Sequence, residues 1–265
     1  MKVRMYNVGF GDCFCLRDRK KSLLVDFGTN NSRIEGRPRR EIFDVIISDL
    51  STIKSKNLLL THFHMDHLSG LLYMMKKKDI SVDFGKIYLP DVFSKKEMSR
   101  TLVLLLLADL LKESGLPSRQ VSLFALVDAL LENKQNVELL SRGKLFENKY
   151  QALWPDTDVI RKETDEVYNR ICEDGKFKEV MDVLLEFAEK LRLIVWSMTA
   201  EGNKPAETVE KETDLTASEL TEQPEVRQKI IRAYVYEREF RRIKALPDFK
   251  KLLAWLNENQ INLRQ

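Results

Sequence analysis

Thr61-His62-Phe63-His64-Met65-Asp66-His67 holds all three histidines of this 265-residue chain. Imidazole is the commonest side-chain ligand for zinc-like ions at neutral pH, and a carboxylate adds charge compensation for a second ion. In an extended segment His62 and His64 alternate around Phe63, so both rings can face one side and share an ion. Asp66 and His67 are adjacent at the turn into the next helix, where the rotating backbone can aim them at a neighbouring position. Four ligands crowded into one turn favour a pair of ions that lower the pKa of a shared water. A structural zinc site would favour closed, cysteine-rich ligation, and no cysteine is near this run. The spacing is that of a metal site.

Leading into the run, Lys56–Thr61 carries Leu58, Leu59 and Leu60, the near-continuous apolar pattern of a strand covered on both faces. It delivers the histidines at its carboxyl end. Upstream, Lys2–Val8, Cys13–Arg17 and Ser22–Phe27 alternate as strands, punctuated by Gly9-Phe10-Gly11-Asp12 and Gly28. Glu41–Leu50 spaces Ile42, Val45, Ile46 and Leu50 as a helix does. Downstream, Leu71–Lys77 reads as a short helix and Lys86–Leu89 as another buried strand. Met98–Glu113 and Gln120–Asn133 read as helices. Val137–Leu140, Lys144–Phe146 and Tyr150–Trp154 return to strand character. Strands mixed with helices in this order imply an α/β sandwich rather than a helical bundle.

After Pro155 the pattern changes. Thr164–Arg192 reads as one long helix, and Leu191–Met198 either extends it or forms a strand. Residues 200–224 are polar and acidic, as in a linker. Pro224 and Pro247 each open a further helix, ending near Lys244 and Asn257. The chain therefore reads as two parts, 1–155 and a helical 156–265.

The net charge is +3, with 43% hydrophobic residues. Residues 1–155 hold 25 Lys and Arg against 18 Asp and Glu, a balance of +7; residues 156–265 hold 19 against 23. The basic part suits an anionic substrate but reads more simply as a solvated surface. Lys76-Lys77-Lys78 and Arg37-Pro38-Arg39-Arg40 are short and lack interleaved aromatics, so they read as solvated loops and give a nucleic-acid partner no support. They could still steer an anionic substrate. Met1-Lys2-Val3-Arg4-Met5-Tyr6 is not a secretory signal, and the lipophilic run Leu102–Leu111 is too short to span a bilayer. Cys13, Cys15 and Cys172 form no disulfide framework, which points to reduced thiols and a cytoplasmic setting. Cys13 and Cys15 read as small packing residues, with a Cys-x-Cys metal site as the alternative.

The run Thr61–Gly70 resembles the Thr-His-x-His-x-Asp-His-x-x-Gly signature of the metallo-β-lactamase superfamily. Val8-Gly9-Phe10-Gly11-Asp12 and Leu23-Leu24-Val25-Asp26-Phe27-Gly28 resemble its opening hairpin, especially in the branch of the hydrolase-like domain of bacterial DNA-uptake channel proteins. Val137–Pro155 resembles the strand pair before the family's next motif. The resemblance implies the N-terminal half of a metallo-β-lactamase-like αββα sandwich over residues 1–155. It implies a dinuclear zinc hydrolase, with iron or manganese as alternatives, acting on a phosphoester or other anionic ester. His62 and His64 would bind the first zinc, and Asp66 and His67 the second, with Asp66 also handling a proton of the shared water. Asp26 would support the site from beneath, and Asp12 would lie near the cleft.

The family completes its site with two further histidines and a bridging aspartate from the second half of the sandwich. This chain has no histidine after His67. The expectation is therefore a truncated, split or decayed relative, inactive or weakly active alone. A partner chain or self-association would complete it, and the helical tract would be an insertion. The alternative is a non-catalytic module.

Overall fold

Strands β1 (Lys2–Met5), β2 (Phe14–Asp18) and β3 (Lys21–Val25) form where the sequence alternates, and neighbours in the chain pair antiparallel. The chain is described by a computed structural model over residues 1–18, 21–77, 83–113, 123–173, 175–200 and 242–259. β1 ends at Met5 rather than Val8, ahead of a turn in which Gly9 takes φ +70°. β3 ends at Val25 because Asp26 enters the left-handed region at φ +55°. A short hairpin that the sequence did not announce, β4 (Arg33–Ile34) and β5 (Arg37–Pro38), leads into helix α1 (Arg39–Ser51).

Strand β6 (Ser55–Leu59) then pairs parallel with β3, β7 (Ile87–Pro90) with β6, and β8 (Val137–Leu140) with β7. The sheet order is β1-β2-β3-β6-β7-β8. Parallel neighbours need crossovers, and α1 and α2 (Met65–Lys76) supply the first two. Cys15, Leu24, Leu58, Ile87 and Val137 form one row across the sheet, and none is more than 1% exposed. Helix α1 lies on this side, since its Asp49 pairs with Arg4 and Arg17, which alternate in step with Cys15. The opposite face carries Leu23, Tyr88 and Leu140 under Phe146 and Ala152, from the hairpin β9 (Leu145–Phe146) and β10 (Tyr150–Gln151). The carboxyl ends of β3 and β6 therefore lie side by side, and both lead into the histidine run.

The chain divides into two compact units, Met1–Asp91 with Lys112–Thr157 and Val92–Leu111 with Asp158–Gln265. The first also holds α4 (Leu123–Glu132), within the span expected for the second apolar helix. The second unit is helical: α3 (Ser99–Glu113, its last two residues grouped with the first unit), α5 (Thr157–Cys172), α6 (Lys178–Ser197) and α7 (Phe249–Glu258). Thr164–Arg192 is not one helix. It breaks between Cys172 and Lys178, where Gly175 takes φ +64°, and α6 then absorbs most of 191–198. Within this unit Ser99 donates to Glu189, Arg100 pairs with Asp165 at 2.7 Å, and buried Arg192 pairs with Glu189 at 3.1 Å. The linker expected over 200–224 and most of the helix expected after Pro224 lie outside the described residues. The architecture is thus mixed α/β in its first part and helical after it. Among the described residues no helix is long and apolar enough to cross a membrane. All three cysteines are free, and Cys13 and Cys15 are buried packing residues.

Candidate metal centre

The site begins beneath the histidines, at Asp26. A carboxylate only 3% exposed must be hydrogen-bonded to be tolerable. Asp26 accepts from the Thr61 N–H at Oδ1 (2.8 Å), and at Oδ2 from the Thr61 hydroxyl (2.7 Å) and His67 Nδ1 (3.0 Å). Its own N–H donates to Leu59 O at 2.8 Å. The positive φ of this non-glycine residue is what turns its side chain from the end of β3 onto the end of β6.

The loop that follows holds the first turn of α2 by its backbone. Phe27 N–H donates to His67 O (2.7 Å), while Gly70 and Leu71 N–H both donate to Phe27 O (2.8 and 3.1 Å). Thr29 N–H donates to Ser69 Oγ, which in turn donates to Thr29 O. Asp12 N–H donates to Asp66 O at 3.2 Å, and Asp12 O accepts from Gly28 N–H. A Cβ on Gly28 would sit 2.6 Å from Leu68 N and 2.7 Å from the carbonyl carbons of Asp66 and His67, so glycine is required by close backbone approach. These bonds start α2 at Met65, six residues earlier than its apolar spacing predicts. Asp66 and His67 therefore sit in the first turn of the helix, and His64 occupies its N-cap in extended backbone.

Proton positions follow from the donor inventory. Asp26 can only accept, so the Thr61 hydroxyl spends its proton on Asp26 and offers a lone pair to His62 Nδ1, 3.0 Å away. His62 is then the Nδ1–H tautomer. The same carboxylate takes the Nδ1 proton of His67. One buried aspartate thereby holds the Nδ1 protons of both rings, so that Nε2 is the atom each would offer to an ion, the support that metal-ligating histidines characteristically have.

His62, Asp66 and His67 each offer a ligand atom within 4.8 Å of the others. His67 Nε2 is 3.9 Å from Asp66 Oδ2, and the rings of His62 and His67 are 3.7 Å apart. The His64 ring stands edge-on to His62 at 4.7 Å. Asp12 Oδ2 approaches His67 Nδ1 at 3.6 Å, so it lies on the ring edge away from the open nitrogen. Burial, followed by repulsion from His67 and His64, pushes the pKa of His62 down to about 4. Burial also pulls on His67, but the Asp26 hydrogen bond and the charges of Asp26, Asp66 and Asp12 outweigh it and raise its pKa. Two nitrogen donors and a carboxylate at this spacing fit a divalent ion of the zinc type. The residue whose role the sequence alone did not reveal is Thr61; its place beside the first histidine was the available signal.

Residues 6–91 match the family model Lactamase_B, described as the metallo-beta-lactamase superfamily. The endoribonuclease YSH1 of Mycosarcoma maydis is 32% identical over 77 residues, 29% of this chain and 8% of that protein. The chain therefore spans under a tenth of the length of that relative. No solved structure matches. The finer likeness to DNA-uptake hydrolase-like domains rests on the quoted motifs alone. The matched span contains Asp12, Asp26, Thr61 and the whole histidine run, so the likeness to the metallo-β-lactamase superfamily falls on the residues that build the site.

Proposed function

We propose that residues 1–155 form the N-terminal half of a metal-dependent hydrolase, with a second, mostly helical region after it. In this reading His62 and His64 hold one zinc ion and Asp66 and His67 a second; iron and manganese suit the same donors. The observation that carries it is the convergence of His62, Asp66 and His67, with both open Nε2 atoms fixed by hydrogen bonds that end on Asp26. When bound, such ions supply Lewis acidity and lower the pKa of coordinated water. Asp66 offers a carboxylate that accepts a proton from the attacking water. Asp26 and Thr61 orient the imidazoles, and Asp12 adds negative charge behind His67. The substrate is a phosphoester or similar anionic ester, supported by the basic balance of residues 1–155 and by a relative named as an endoribonuclease. Free cysteines fit a reducing, cytoplasmic setting.

One feature favours a second reading, a split or non-catalytic module completed by a partner. The chain has no histidine outside 62–67, so any further imidazole ligand comes from other polypeptide. Zinc content by elemental analysis, with hydrolysis of bis-para-nitrophenyl phosphate, tests both. The hydrolase reading expects zinc in the wild type, less in His62→Ala/His64→Ala, and turnover, weak in this half alone, that follows zinc. Absence of any metal overturns it. Zinc without turnover moves the assignment to the second reading.

A further inference from the structure

Phe10 is 70% exposed, yet its backbone is hydrogen-bonded at both its N–H and its carbonyl. Its N–H donates to Asn31 Oδ1 (2.9 Å), and its carbonyl accepts from Asn30 N–H (2.9 Å) and from the Thr29 hydroxyl (3.1 Å). Gly9 before it donates to Asn7 Oδ1, and Asn7 in turn donates to Glu35 at 2.8 Å. A large apolar ring presented to water on an immobilised loop loses little entropy when something stacks on it.

The loop that carries Phe10 runs beside the histidine run. Two residues on, Asp12 N–H is bonded to Asp66 O, and a Cβ on Gly11 would meet Asp66 O at 2.7 Å. On its other side lies the β4–β5 hairpin. Asn31, which holds Phe10, is followed by Ser32, whose carbonyl accepts from Arg39 N–H at 3.0 Å. Two hydrogen bonds and one peptide link thus join Phe10 to a segment carrying Arg33, Arg37, Arg39 and Arg40, all exposed. Arg33 is spent on Gly36 O. Among the described residues, Arg37, Arg39 and Arg40 have no side-chain hydrogen bond or ion pair. Arg39 and Arg40 also open α1, where the helix dipole disfavours cations. In sequence these arginines lack an aromatic; the fold supplies one from 27 or more residues upstream.

We propose that Phe10 and the arginines of the β4–β5 hairpin form a subsite for single-stranded nucleic acid. Phe10 stacks a base, and Arg37, Arg39 and Arg40 take the phosphates of a strand passing the histidine cluster. The proposal deepens the hydrolase reading and rests on it for the identity of the scissile bond. Stacking on one aromatic is tolerant of sequence, so the subsite holds the strand without choosing its bases.

Fluorescence anisotropy with a labelled oligouridylate of about 12 nucleotides tests it on the full chain. Phe10→Ala weakens binding about tenfold, and Phe10→Trp restores it. Arg37→Ala/Arg39→Ala flattens the dependence of log affinity on log salt by about 0.7 for each phosphate that is no longer neutralised. Because all three side chains are exposed, thermal melting stays unchanged. Affinity indifferent to Phe10, or matched by inorganic polyphosphate, overturns the subsite. Zinc content is read on the same samples. Zinc uptake without strand binding overturns the subsite and leaves the hydrolase reading standing. Strand binding that depends on Phe10, without zinc, supports the subsite and overturns the hydrolase.

Discussion

Asp26 Oδ2 accepts the Nδ1 proton of His67 at 3.0 Å, across 41 residues of chain, and the same oxygen accepts the hydroxyl proton of Thr61. A single buried carboxylate therefore decides which nitrogen of two histidines is left open. Asp26→Asn removes the charge and offers an amide donor where only acceptance works. Zinc affinity falls about 10- to 100-fold, measured by competition with a chromophoric chelator. Unchanged affinity would show that the ring orientations do not depend on Asp26.

Thr61→Val keeps the shape and deletes the hydroxyl. Asp26 loses one donor, and His62 loses the acceptor that fixes its Nδ1 proton. The expected cost is about 1–3 kcal/mol in unfolding free energy, together with weaker zinc binding, and Thr61→Ser recovers most of both. Urea denaturation of the metal-free chain reads the first, and the chelator assay the second.

Gly28→Ala places a methyl group 2.6 Å from Leu68 N, against backbone that the Phe27 bonds hold in place. Overpacking of this kind costs about 1–3 kcal/mol and pulls the start of α2 away from β3. A lowered Tm accompanied by loss of zinc binding is the expected pair.

His62 and His67 give opposite pH signatures in the metal-free chain. His62 has a folded pKa of about 4, below its unfolded value, so the unfolded state binds more protons at acid pH. Its contribution is complete above about pH 6.5 and is lost as pH falls toward 4. His67 is raised, so its contribution is complete below about pH 6.5 and is lost as pH rises through its folded pKa. Comparing Tm against pH for His62→Ala and His67→Ala separates them: the first flattens the acid limb, the second the limb above neutrality. Curves parallel to wild type would contradict the assignment.

Zinc added to the metal-free chain binds the folded state and raises Tm, by the equivalent of about 2.7 kcal/mol at a free concentration roughly one hundred times Kd. His67→Ala and Asp66→Ala shrink the shift, since each removes one member of the convergent group. A shift of unchanged size in either variant would place the ions elsewhere.

The chemistry of the site was legible in a single short stretch of chain. Three histidines and an aspartate within six positions act through spacing that no distant residue can alter, and the apolar Leu58–Leu60 run identifies the strand that carries them. The alternation of the opening strands and the apolar period of α1 were equally local and equally legible. Long-range pairing settled the rest. The Asp26–Thr61–His67 bonds exist because β3 and β6 are parallel neighbours ending at the same edge. Helix α2 starts at Met65 because the loop after β3 satisfies its first turn, where side-chain periodicity pointed only to Leu71. Phe10 meets the arginine hairpin through hydrogen bonds between loops far apart in the chain. Side-chain period and ligand spacing are properties of neighbours in the chain. Backbone pairing between loops depends on register and crossover, whose free energy is shared across the whole sheet and is written in no short segment.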